Sequence, residues 1–176
     1  MSALFIRRLA GDDRATAVIE LALIAPIVAL TIAGIADLSN SFTRKLALEQ
    51  GAQRAIEKIM QTTVDSTVEA TLTNEAVCQV NGTNSDGSCQ SSPITSSDVV
   101  VNYRQDCTTS SNVVTTTATT VSATYDLWTC PTGSIQSKYI SVTVNDKYTP
   151  IFPIHFSGYN SDGTYHMSAV AGMRTS

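Results

Sequence analysis

Four cysteines, two histidines and one carboxylate set inside an apolar run are the residues of this chain with the most chemical scope. Cys78, Cys89, Cys107 and Cys130 are widely spaced and contain no CxxC pair, which argues against a zinc site or thioredoxin-type exchange. An even number of such cysteines fits two structural disulfides formed in an oxidising compartment. Three pairings are possible. The sequential one, Cys78 with Cys89 and Cys107 with Cys130, is the expectation because it closes two loops without crossing them. His155 and His166 have no His, Cys or carboxylate at metal-ligand spacing, and Asp86 in NSDG lacks the EF-hand pattern and reads as a turn. Gly-rich phosphate loops and basic patches interleaved with aromatics are also missing, and the net charge is −4, so catalysis and nucleic-acid binding find no support. No metal or cofactor is expected. Trp128, two residues before Cys130, reads as a packing residue rather than a ligand platform.

The carboxylate is Glu20, and the run that surrounds it is AVIELALIAPIVALTIAGIA, Ala17 to Ala36. At 1.5 Å per residue, roughly twenty such residues span a hydrocarbon core of about 30 Å. An ionised group near the end of a membrane span needs a counter-charge or a route to the interface. Small residues at Ala22, Ala25, Ala29, Ala33 and Gly34 permit close helix packing in lipid, and Pro26 removes one backbone donor and is expected to kink the helix unless neighbours compensate.

The elements that position these residues follow in order. Residues 1–15 carry Arg7, Arg8 and Arg14 and read as a leader; 16–37 read as a transmembrane helix; 38–70 as its amphipathic extension; 71–176 as a β-rich, disulfide-containing exported domain. In the extension Leu38, Phe42, Leu46, Ile56, Ile59, Met60 and Val64 recur every three or four residues, weakly around Gly51, so span and extension would form one helix of some fifty residues, about 75 Å. Beyond Thr71 the pattern changes to alternation: Val99, Val101 and Tyr103; Val121, Ala123 and Tyr125; Ile140, Val142 and Val144; Tyr165, Met167, Ala169 and Ala171. TTTATT is β-branched and reads as a further strand, and NGTNSDGS as a surface turn. The fold class is α+β, a long N-terminal helix with a small antiparallel sheet on one face.

Arg14 to Pro26, RATAVIELALIAP, resembles the TadE-like family, pilin-like accessory subunits of the bacterial tight-adherence pilus machinery. The similarity continues through IADLSNSF and LALEQGAQRAIEKI and returns in YISVTVNDKYTPIFP and MSAVAGMR, leaving the stretch from about Cys78 to Cys130 without a counterpart. The resemblance implies a pilin-like fold and a prepilin peptidase that cuts between Ala15 and Thr16, leaving Glu20 fifth in the mature chain. Ala15 stands where the family usually has glycine; cutting after Gly11 would instead leave Glu20 ninth. Other pilins or pseudopilins, an inner-membrane assembly platform and membrane lipid are the implied partners, with the N-terminus cytoplasmic and the domain periplasmic. The role implied for Glu20 is to pair with a Thr16 ammonium during assembly. Two other readings stay open: an uncleaved signal-anchor that holds a binding or adhesion module, and a secreted protein cut after Ala36, where Gly34-Ile35-Ala36 offers a small-x-small site.

Overall fold

The computed structural model describes residues 13–61, 66–152 and 157–175, with the side chains of 13–16 and 66–70 left aside. Most of the expected leader, as well as Val64 and His155, lies outside the described residues. The chain forms two compact units, one holding the helix as far as Ser41 with the segment that starts at Pro150, the other starting at Phe42 and holding the sheet.

Helix α1 runs from Asp13 to Gln61, 49 residues, unbroken through Pro26. In the second unit it contributes Leu48, Ala52, Ala55, Ile56 and Ile59 to the core, a face made by i, i+4, i+7, i+8 and i+11 spacing. This corrects the expected apolar face: Ile56 and Ile59 are buried, whereas Leu38, Phe42, Leu46 and Met60 are exposed. The apolar residues of the extension thus divide between two faces, and alanines supply much of the inner one.

A second correction concerns the residues after Thr71. A separate helix α2 spans Ser66–Asn81, where strand was expected from Thr71. Leu72, Ala76 and Val77 are buried at helical spacing, with Val80 packed against the core beside them. Gly82, at φ 85°, takes the left-handed conformation that ends helices, and its N–H donates to the Cys78 carbonyl at 2.8 Å. Gly51 explains the weak middle of the extension. A Cβ there would come within 2.5 Å of Val80 Cγ2 and 3.1 Å of the Ala76 carbonyl oxygen, so α1 and α2 cross where α1 has no side chain.

The sheet is antiparallel throughout, ordered β2-β1-β3-β4, from β1 Val99–Thr108, β2 Val114–Thr119, β3 Ile135–Tyr148 and β4 Tyr165–Arg174. Ile140, Val142 and Val144 alternate into the core, and Val99 and Tyr103 join them from β1. Three of the expected strands are present, and all of TTTATT but its last residue, Thr120, lies in the fourth, β2. The alternation at Val121, Ala123 and Tyr125 is not a strand; Ser122–Asp126 is a short helix, α3. Its purpose in packing is Tyr125, buried with its ring 5.0 Å from Tyr103 and 6.1 Å from Trp128, and its hydroxyl 3.0 Å from Thr175 Oγ1.

Candidate functional site

Residues 17–36 of α1 form the most apolar stretch of the chain, and an 18-residue window within the helix reaches a mean hydropathy of 2.4. The helix is long and apolar enough to cross a membrane. Every side chain from Ala17 to Ile32 is exposed, so the run contributes nothing to the core of its own chain. Its one hydroxyl, Thr31 Oγ1, donates to the Ile27 carbonyl at 2.8 Å and so carries its own partner into an apolar medium.

Ala15 and Thr16 fall in the first turn of this helix, with side chains outside the description. Glu20 is exposed one turn further on, and among the described residues no cation pairs with it. Ala22, Ala25, Pro26 and Ala29 are exposed, whereas Ala33 and Gly34 are half-buried. At 100° per residue Ala22, Ala25, Pro26, Ala29 and Ala33 share one stripe; Gly34 lies off it and Glu20 on the opposite side. The helix therefore separates the proposed packing residues from the charge instead of gathering them into one patch.

Asp37, which ends the apolar run, is a residue whose part composition and spacing do not reveal. It is 4% exposed, and its two carboxylate oxygens accept the backbone N–H groups of Ile151 at 2.8 Å and Phe152 at 2.9 Å. These partners are 114 and 115 residues away in sequence, which is why the bond cannot be read from local pattern. The only available hint was a carboxylate immediately after the span.

The sheet unit has its own buried charge. Asp146 continues the inward row of Ile140, Val142 and Val144 on β3, with Oδ1 accepting from the Lys147 N–H at 2.8 Å. Arg44 Nε lies 3.2 Å from Asp146 Oδ2 but off the line of a hydrogen bond, so charge is what compensates that buried oxygen. Lys45, next along the helix from Arg44, donates from Nζ to the Ser168 carbonyl on β4, giving α1 a second polar tie to the sheet.

All four cysteines are paired, Cys78 with Cys89 and Cys107 with Cys130, as sequential closure predicts. The buried Gln105 amide faces the second bridge, with Nε2 3.3 Å and 3.4 Å from the two sulfurs and Oε1 accepting from Gln136. Trp128 is half-buried against the core. On the β3–β4 connection Asp162 Oδ2 meets His166 Nε2 at 2.7 Å and Lys147 Nζ at 3.0 Å. Hydrogen bonds from His166, Thr164 and Lys147 hold its carboxyl well below the usual range. Asp86 is likewise lowered by the Ser88 hydroxyl and N–H, an Asx-type turn as its sequence suggests. Among the described residues no group of three His, Cys, Asp or Glu side chains is placed to hold a metal ion.

The fold and site define an α+β protein in which one helix is at once a candidate membrane span and a core element. No protein-family model, curated protein or solved structure matches the chain.

Proposed function

We propose that this chain is a minor pilin-like subunit of a tight-adherence type IV pilus assembly or secretion system, acting through helix-mediated assembly in the bacterial inner membrane. The observation that carries the reading is that one uninterrupted helix exposes every side chain from Ala17 to Ile32 while its other half is built into a folded domain. Such a helix gains nothing for its own chain by exposing those side chains; it gains from lipid or from neighbouring helices. The exposed Leu38, Phe42 and Leu46, at i, i+4 and i+8, extend the apolar surface beyond the span. Two disulfides support export of the domain into the periplasm with the N-terminus cytoplasmic.

In this reading cleavage between Ala15 and Thr16 creates an ammonium one helical turn from Glu20. On this subunit or a neighbour, that ammonium neutralises a carboxylate that lipid disfavours by up to about 3 kcal/mol. Glu20→Gln keeps size and insertion but removes the charge. We expect normal membrane abundance with subunit association lost in co-purification from membranes; association equal to the parent's would refute the pairing. The mass of the mature N-terminus separates this function from the others: Thr16 for a pilin-like subunit, an uncut chain for a signal-anchored binding module, Asp37 for a secreted protein.

A further inference from the structure

Asp37 does more than end the apolar run, because it fixes a second segment of the chain at the same level. Its carboxylate holds the N–H groups of both Ile151 and Phe152, so these residues lie beside the last turn of the span. Bonding two consecutive amides leaves their side chains to point elsewhere, and Ile151 is 65% exposed and Phe152 38%. Ala33 and Gly34, within one turn of Asp37, are the only residues between 17 and 36 that are not exposed. The apolar run from Ala17 is about 30 Å long, so its end at Asp37 coincides with the edge of a hydrocarbon core. That edge is where aromatic and aliphatic side chains with nearby polar backbone are stable, between acyl chains and headgroups.

We propose that Ile151 and Phe152 form a membrane-contacting foot, pinned by Asp37, that inserts into the acyl–headgroup boundary next to the transmembrane helix. The inference rests on the helix crossing a bilayer but not on pilus assembly. What assigns lipid as the occupant is continuity: the two side chains prolong, at its boundary, a surface that is already lipid-facing. Pinning them through backbone rather than side-chain bonds keeps both apolar groups available, and it satisfies two amides that would otherwise be costly to carry into the interface.

The test uses the full chain in vesicles of phosphatidylcholine and phosphatidylglycerol whose acyl chains carry bromine either near the headgroup or near the terminal methyl. Tryptophan is introduced as Ile151→Trp, both with Trp128 retained and with Trp128→Phe, so that a folding defect in one background does not remove the measurement. Leu30→Trp reports on the span itself. We expect the Ile151→Trp emission to lose most of its intensity with the shallow bromines and little with the deep ones, and Leu30→Trp to show the opposite order. Adding Asp37→Ala should abolish the Ile151→Trp quenching and leave that of Leu30→Trp unchanged. If Leu30→Trp is quenched and Ile151→Trp is not, the foot is refuted while the membrane span stands. Shielding of Ile151→Trp from aqueous acrylamide without bromine quenching would assign the surface to a protein partner and equally refute it. Loss of quenching at both positions would overturn the span as well.

Discussion

Arg44 is the residue whose removal should most clearly separate charge compensation from ordinary packing. Asp146 is 6% exposed in its side chain, faces inward from β3, and keeps a single hydrogen bond to its own Oδ1, from Lys147 N–H; the other oxygen depends on the Arg44 charge at 3.2 Å. Removing one partner of a buried pair costs about 3–5 kcal/mol because the other charge is stranded. Arg44 is one-third exposed, so water already screens part of the interaction, and the lower end, about 3 kcal/mol, is the expectation for Arg44→Met. With a urea dependence of about 1.5 kcal/mol per molar, that is a midpoint shift of about 2 M. The assay is urea unfolding of the full chain in detergent micelles, followed by the fluorescence of its single tryptophan, Trp128, which packs in the affected unit. Adding Asp146→Asn to Arg44→Met removes the stranded charge and should restore all but about 1 kcal/mol. A midpoint shift below about 0.5 M for Arg44→Met, or no recovery in the double variant, would show that Asp146 is not held by this guanidinium.

Two further predictions follow from packing and from charge. Gly51→Ala gains about 1 kcal/mol of helix propensity but drives a methyl into Val80 and the Ala76 carbonyl, an overpacking cost of about 1–3 kcal/mol, so the net change in the same unfolding assay should be destabilising. A gain in stability would mean that α1 and α2 separate easily at their crossing. Asp162, whose carboxyl is lowered from 3.8 by His166, Thr164 and Lys147, contributes local stability that is present above 3.8 and is lost as pH falls through its lower folded value. An NMR titration of its carboxyl should therefore give a midpoint below 3.8 that moves upward in Lys147→Met and in His166→Gln; an unchanged midpoint in both would remove these groups as its cause.

The parts of the fold that could be read in advance are those governed by short-range periodicity. The apolar run, the long helix and three strands each declare themselves within a dozen residues, and the cysteine pairing is, of the three possible, the one expected from closing two loops without crossing. Residues 71–81 read locally as strand because Thr and Val favour strands, while the deciding feature, burial of Leu72, Ala76 and Val77 in the core that α1 shares, is tertiary. Tyr125 shows the same limit from the other side: an alternating triplet is indistinguishable from a helical turn that aims one ring inward. Within the site, Glu20 and the small residues were visible as departures from a plain apolar run. Asp37 was not, since its partners come from the chain after β3, nor was Arg44, whose partner is on β3. The helical wheel also places Glu20 away from the alanine stripe, a separation that naming both sets of residues did not bring out.

The long reach of Asp37 has a consequence for the order of events in biogenesis. In the proposed orientation, export that starts from the N-terminus would deliver Asp37 to the far side of the bilayer early, but Ile151 is synthesised 114 residues later. At 5–20 residues per second the interval is on the order of ten seconds. Throughout it the Ile151 and Phe152 amides are not yet there to cover the carboxylate, so drawing it into lipid stays costly, which opposes any slide of the helix back into the bilayer. In that orientation the same residue would serve first as a temporary stop for the emerging helix, and only afterwards, once β3 has passed and the chain returns, as the fastening for the segment that follows.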